Sequence, residues 1–209
     1  MDNSRLELTP EEMRSLGYQV IDMLVEHFEQ VREQPVTNRA TRAEMEQRLR
    51  EPPPQQGSVA GDVLQQVRQD VLGNSMSIDH PRFLAFVPSA GNFVGAMADA
   101  LVSGFNIFAG TWLEAAGPTE IELVTIDWLR QLCGLPETAG GLFVSGGSVA
   151  NLTVLATARH IKLQDDMTDA VVYFSDQTHS SIERALRILG FQPGQLRKLP
   201  ADADFRLTP

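Results

Sequence analysis

The stretch that decides the fold reads Phe143-Val144-Ser145-Gly146-Gly147-Ser148-Val149-Ala150-Asn151. The short apolar run 142–144 is typical of a buried strand, and residues 148–163 have the pattern of a helix. Two glycines between them let the backbone turn sharply and approach a ligand closely. The free N–H groups and positive end of the helix favour an anion, and Ser148 adds a hydroxyl donor. The sequence therefore predicts that Ser145 to Asn151 form a strand-to-helix turn that binds the phosphate of a cofactor.

The same turn has a plainer interpretation, in which Ser148 only caps the helix that follows. The local pattern alone favours neither phosphate binding nor simple helix capping. Two other phosphate-binding motifs fit poorly. No lysine follows the glycines as a P-loop requires, and the spacing differs from G-x-G-x-x-G.

A second candidate segment follows the next apolar run. Residues 170–174 are predicted to form a strand, residues 180–189 a helix, and residues 196–199 a third strand. Strands that alternate with helices indicate a mostly parallel sheet, which binds ligands at the carboxyl ends of its strands. His179 therefore falls on the same sheet edge as the glycine turn. The alternative is a structural histidine beside a capping box made by Ser180 and Glu183.

The first part of the chain is predicted to be helical. Thr9, Pro10 and Glu12 form a helix start with a capping box, and an apolar stripe follows it. Shorter helices are expected over residues 44–50 and 59–72, with three prolines between them.

Composition excludes several classes of protein. The 209 residues are 43% hydrophobic and 21% charged, with a formal net charge of −10 and no basic cluster, which argues against a nucleic-acid binder. A single cysteine, Cys133, rules out an internal disulfide and a multi-cysteine metal site, so no metal is expected, and its apolar surroundings favour a buried thiol. The polar N-terminus lacks a signal peptide, and no stretch suits a membrane helix. A cytoplasmic protein is the default expectation.

Taken with three further matches, the two segments identify a family. The stretch from Phe143 to Leu152 and Tyr173-Phe174-Ser175-Asp176-Gln177-Thr178-His179-Ser180-Ser181-Ile182-Glu183 resemble the group II pyridoxal-phosphate-dependent amino-acid decarboxylases. The further matches are His80-Pro81-Arg82-Phe83, Phe86-Val87-Pro88-Ser89, and Thr119-Glu120-Ile121-Glu122 leading to Asp127-Trp128-Leu129. They occur in the family's order and spacing and cover about half of the chain.

The resemblance implies an α/β fold of the aspartate-aminotransferase type (fold type I) in a homodimer that binds pyridoxal 5'-phosphate and an amino-acid substrate. Residues 1–79 would be the helical, domain-swapped N-terminal segment, and residues 80–209 the first part of the large domain.

The resemblance also assigns roles to individual residues. Gly147 and Ser148 would bind the phosphate, with Asn151 as a helper, and His179 would stack on the cofactor ring and assist catalysis. Candidate substrate-binding residues form an aromatic, uncharged wall that suits an aromatic amino acid: Phe86, Val87, Pro88, Phe108 and Trp112. Simple core packing is the alternative for the three aromatic residues.

The sequence departs from the family in one respect. The family's Schiff-base lysine and the aspartate that pairs with the pyridine nitrogen are expected beyond residue 209, and the only lysines are Lys162 and Lys198. The chain is therefore interpreted as an N-terminal fragment that is inactive and poorly soluble by itself. Two alternatives stay open: a related enzyme, such as an acidic amino-acid decarboxylase, an aldehyde synthase or a carbon–carbon lyase, and a non-catalytic chain that binds or dimerises.

Overall fold

The computed structural model describes residues 7–207. Packing divides the chain between Ile107 and Phe108 into two compact units. The sequence predicts a different boundary, between a helical N-terminal segment of residues 1–79 and a large domain that begins at residue 80. This boundary stays a prediction.

The first unit is helical, as its sequence predicts. Helix α1 (Pro10–Gln30) begins with the expected capping box: the Thr9 hydroxyl accepts from the Glu12 N–H at 3.2 Å, and the Glu12 carboxylate accepts from the Thr9 N–H at 2.7 Å. Three further helices follow it: α2 (Arg42–Leu49), α3 (Ala60–Gln66), which continues through a π turn (Val67–Val71) and a 3-10 turn (Leu72–Asn74), and α4 (Phe93–Phe105).

The second unit begins with a kinked helix. Helix α5 (Trp112–Leu132) leaves helical geometry at Ala115, whose φ and ψ are −143° and 42°. Pro118 explains the kink, because its ring lacks an N–H and crowds the carbonyl of Glu114 four residues earlier.

The α/β part of this unit follows the predicted order. It consists of α6 (Gly147–Leu163), β1 (Val172–Ser175), α7 (Ser180–Ile188), a 3-10 turn (Pro193–Gln195) and β2 (Leu196–Leu199). β1 and β2 pair in parallel, with Val172 opposite Leu196 and Ser175 opposite Leu199. The prediction of a parallel sheet is confirmed for these strands.

Two expectations for the second unit are wrong. Residues 142–144 form no strand, and Leu142 and Phe143 are more than half exposed. A strand needs a partner for its N–H and C=O groups, and here the Phe143 N–H instead donates to Glu122 Oε1 at 2.9 Å. Cys133 is exposed rather than buried, because it caps the end of α5.

The core of the second unit lies between the sheet and α7. It is built from Phe174, Leu186 and Phe191, and residues of α6, including Leu155, pack against it. Elsewhere large apolar side chains stay exposed, as on α4 and α5, and the low solubility of the isolated chain stays a prediction. Within residues 7–207, no helix is long and apolar enough to span a membrane.

Leu186 provides a direct test of this core. Its side chain is 1% exposed, so Leu186→Ala should lower the free energy of unfolding by about 2–5 kcal/mol through loss of burial and a residual cavity. Ile188→Ala on the same helix is the matched control, because Ile188 is 65% exposed, and it should change stability by less than about 0.5 kcal/mol. Denaturant unfolding measures both, and equal losses would contradict the assigned core.

Candidate cofactor site

The glycine turn leaves the N-terminus of α6 without a side-chain cap. Gly146 precedes the helix with φ 153° and ψ 173°, a backbone region that only glycine reaches without strain. Its carbonyl accepts from the N–H groups of Val149 and Ala150, both at 3.0 Å. The N–H groups of Gly147 and Ser148 have no intrahelical acceptor, as is general for the start of a helix. They are free to donate to a bound group.

Ser148 is not the helix cap that the plainer interpretation requires. It is the second residue of α6, it is exposed, and its hydroxyl makes no hydrogen bond within residues 7–207. The first turn of α6 contains no acidic residue that would repel an anion. Two N–H groups, one hydroxyl and the positive end of a 17-residue helix form a donor set that fits a phosphate dianion.

A hydrogen-bonded loop positions His179 after β1. The Thr178 hydroxyl accepts from the Ser175 N–H at 3.1 Å, and the Thr178 N–H donates to the Ser175 carbonyl at 3.1 Å. Asp176 links the loop to the residues around the end of β2: its N–H donates to Leu199 O at 2.9 Å, and its Oδ1 accepts from the Ala201 N–H at 3.1 Å. These bonds fix the backbone from which the imidazole projects.

His179 caps α7 with its own ring. Its Nδ1 accepts from the Ser181 N–H at 3.2 Å and lies 2.8 Å from the Ser181 hydroxyl oxygen. The capping box of Ser180 and Glu183 does not form, since Glu183 pairs instead with Arg187 and Lys198. His179 is exposed, so the rest of its ring is accessible.

Asn151 and His179 meet through a residue that sequence reasoning overlooked. The Asn151 side-chain amide donates to Ser181 Oγ at 2.8 Å, and Ser181 is 1% exposed. Two adjacent serines at a helix start resemble ordinary capping residues, which hid the role of Ser181. The signal that could have found it is the placement of Asn151 one turn into α6, on the side that packs against α7.

The opposite ends of α6 and α7 are also joined. Arg159 Nη1 donates to Leu189 O at 2.9 Å, while its Nε donates to Asp165 at 3.0 Å. The hydrogen bond from His160 lowers the pKa of Asp165 most, and the charges of Arg159 and His160 lower it further. The Arg159–Leu189 bond and the Asn151–Ser181 bond together fix the packing of α6 against α7.

The candidate aromatic residues of the second unit are not core residues. Phe108 is 66% exposed and Trp112 is 56% exposed. The Phe108 ring lies over Gly110, where an added Cβ atom would come within 2.2 Å of it, so a larger residue at position 110 would require the ring to move. Core packing therefore does not explain Phe108 and Trp112.

Phe86, Val87 and Pro88 lie in the first unit, and they are exposed as well. Phe86 is 82% exposed and has a φ of 59°, which is strained for an aromatic residue and is typical of functional loops. The loop is held at its start by the buried His80, whose Nδ1 accepts from the Arg82 N–H at 2.9 Å.

Lys162 is distant from the glycine turn, since it lies 14 positions after Ser148, about 21 Å along α6, and it is exposed. Lys198 Nζ lies 3.7 Å from Glu183 on α7. Among the described residues no group of three or more His, Cys, Asp or Glu side chains is arranged to hold a metal ion.

Comparison with known proteins identifies the class to which this site belongs. The family model described as "Pyridoxal-dependent decarboxylase conserved domain" matches residues 43–209. An aromatic-L-amino-acid decarboxylase of Bacillus atrophaeus is 45% identical over 99% of this chain and 43% of its own length. A phenylacetaldehyde synthase of Petunia hybrida is 30% identical over 97% of this chain and 42% of its own length.

A solved structure shows the same fold. The crystal structure of Oryza sativa TDC with PLP and tryptamine has a TM-score of 0.87 and 27% identity, and it covers 99% of this chain and 45% of that chain. The chain belongs to the pyridoxal-dependent decarboxylase family, and the expected fold type I is confirmed. It spans less than half the length of these relatives.

The strained turn provides a test of the site's backbone. Gly146→Ala should lower the free energy of unfolding by about 1–3 kcal/mol, because φ 153° with ψ 173° is accessible only to glycine. Gly147→Ala is the matched control: its backbone is helical and nothing lies within 4 Å of the added Cβ, so its stability should be unchanged. Equal stability of the two variants would contradict this turn geometry.

The pKa of Asp165 predicts an acid-sensitive contact at the C-terminal end of α6, where the carboxylate pairs with Arg159 and His160. Its pKa in the folded protein lies below the usual 3.8, so the carboxylate stabilises the fold above about pH 4, and this stabilisation is lost as the pH falls toward the folded-state pKa. Asp165→Asn should flatten the acid limb of a plot of stability against pH. An identical acid limb in the variant and the wild type would show that Asp165 has no such role.

Proposed function

We propose that these residues form the phosphate-binding and ring-contacting half of the pyridoxal phosphate site of an amino-acid decarboxylase. The proposed enzyme is longer than this chain, which is supported by the share of its relatives that the chain covers. The single observation that supports the proposal best is the first turn of α6, which has no side-chain cap and whose hydrogen-bond donors fit a phosphate. This turn lies within the residues that the family model matches.

In this proposal the phosphate is held by α6. The N–H groups of Gly147 and Ser148 and the Ser148 hydroxyl donate to its oxygens, and the helix dipole favours its charge. Asn151 assists from one turn further along α6, through its bond to Ser181. These donors are fixed by the fold before the ligand arrives, so little ordering is required on binding.

The bound cofactor supplies an electron sink for the pair left when the bond between Cα and the carboxylate breaks. In this proposal the His179 imidazole contacts the pyridine ring of the cofactor and places a hydrogen-bond donor beside it. The loop geometry that fixes its backbone suits this role, because a catalytic imidazole must keep one orientation.

The substrate class that we propose is an aromatic L-amino acid. In the second unit the exposed side chains of Phe108 and Trp112 would supply apolar contact area. In the first unit the exposed Phe86, Val87 and Pro88 are separate candidates for substrate contact. The relative of Bacillus atrophaeus is named for aromatic amino acids, and the Oryza sativa structure contains tryptamine. The homodimer and the cytoplasmic location stay predictions.

Ser148 tests the phosphate site. In an enzyme-length polypeptide that contains this chain, Ser148→Ala should weaken pyridoxal phosphate binding by about tenfold, the value of one hydrogen bond to a charged group. Thr157→Ala is the control on the same helix, since the Thr157 hydroxyl only bonds back to Thr153 O at 2.9 Å. Spectroscopic titration gives both dissociation constants. Equal constants for the two variants would remove Ser148 from the site.

A second candidate function is aldehyde formation, because a phenylacetaldehyde synthase is 30% identical to this chain. Assays of amine, aldehyde and ammonia with aromatic and acidic amino acids separate the two reactions. We expect amine from aromatic substrates. Aldehyde with ammonia would replace the proposed reaction, and amine from glutamate or aspartate alone would overturn the substrate class. No product from any of them would favour the non-catalytic alternative.

A further inference from the structure

The hydrogen-bond chain Asn151–Ser181–His179 has a defined direction. The Ser181 backbone N–H can only donate, and its acceptor is His179 Nδ1 at 3.2 Å. A neutral imidazole that accepts at Nδ1 carries its proton on Nε2. This backbone bond therefore favours the Nε2–H tautomer of His179, but at 3.2 Å it is the longer of the two contacts at Nδ1.

The Ser181 hydroxyl favours the same tautomer of His179 as the backbone N–H does. Its oxygen accepts from the Asn151 amide at 2.8 Å, and its proton is then directed to His179 Nδ1, also at 2.8 Å. Ser181 is 1% exposed, so water does not compete for these bonds. Asn151 thus determines which way the hydroxyl points, and the hydroxyl in turn fixes the plane of the ring.

The other ring nitrogen is left available. His179 is exposed, and its Nε2 makes no hydrogen bond within residues 7–207. We propose that Ser181, oriented by Asn151, is a positioning residue that keeps His179 as the Nε2–H tautomer, so that the accessible nitrogen is a hydrogen-bond donor. The consequence for catalysis rests on the proposed function, whereas the tautomer itself is a property of the chain alone.

The experiment has one readout that needs no cofactor. The chain is labelled with 15N-histidine, and two-bond 1H–15N spectra report which nitrogen of each imidazole is protonated, with His179→Gln assigning the signal. In the wild type we expect the protonated nitrogen to be Nε2. In Ser181→Ala the Nδ1–H form should appear as a second population, because only the longer backbone bond then remains.

Two further variants separate positioning from folding. Asn151→Asp keeps the side-chain volume but replaces the amide donor by an acceptor, so the Ser181 hydroxyl turns toward it and away from His179. We expect the same tautomer change as in Ser181→Ala. Ser180→Ala is the matched control, because Ser180 is exposed and lies outside the chain of hydrogen bonds, and it should leave the spectrum unchanged.

The second readout is kinetic, in an enzyme-length polypeptide that contains this chain. At saturating pyridoxal phosphate, Ser181→Ala should lower kcat about tenfold with KM changed less, because a misoriented imidazole loses part of a general acid–base contribution. Asn151→Asp is used for the tautomer readout alone, because Asn151 also belongs to the proposed phosphate site. Ser180→Ala should leave both unchanged.

An unchanged tautomer in folded Ser181→Ala and Asn151→Asp would overturn the inference. An altered tautomer in Ser181→Ala with unchanged kcat would overturn its consequence for catalysis. A wild-type protein that makes no product contradicts the proposed function instead, and the tautomer spectra still test the hydrogen-bond chain.

Discussion

The hydrogen bond from Asn151 to Ser181 joins the two elements on which the site depends. It ties the first turns of α6, where the proposed phosphate donors lie, to the start of α7, which His179 caps. At the far ends of the same helices, Arg159 and Leu189 form a second tie. The two helices are thereby held in one alignment over the core around Leu186. Cofactor donors on one helix and an imidazole on the other can work together only if this alignment is kept.

The loop before α6 and the loop after β1 have opposite physical requirements, and their sequences differ accordingly. The loop before α6 must leave donors unsatisfied, so it ends in Gly146, which has no side chain to cap the helix and reaches a backbone conformation closed to other residues. The loop after β1 must hold a side chain still, so it is filled with short polar residues that bond one another, such as Ser175 and Thr178. The N–H groups that follow the first loop stay available to the proposed ligand, whereas the second loop uses its N–H groups in internal hydrogen bonds.

Much of this arrangement can be predicted from the sequence. The capping box at Thr9 and the helix start near Ser148 follow local rules, and the strands expected over residues 170–174 and 196–199 form within two residues of those bounds and run parallel. Residues 142–144 were mispredicted because an apolar run becomes a strand only when another strand pairs with it. Ser181 was missed because its role depends on a contact 30 positions away, which periodicity does not reveal. Local pattern locates the donors, and tertiary packing decides how they are oriented.

The central claim is that the first turn of α6 binds the cofactor phosphate while His179 contacts its ring. A crystal structure of an enzyme-length polypeptide containing this chain, grown with pyridoxal phosphate, measures this directly. The account predicts phosphate oxygens within hydrogen-bond distance of the Gly147 and Ser148 N–H groups, and the His179 imidazole against the pyridine ring with its Nδ1 still on Ser181. Phosphate bound elsewhere, with the α6 N–H groups facing only water, would contradict it.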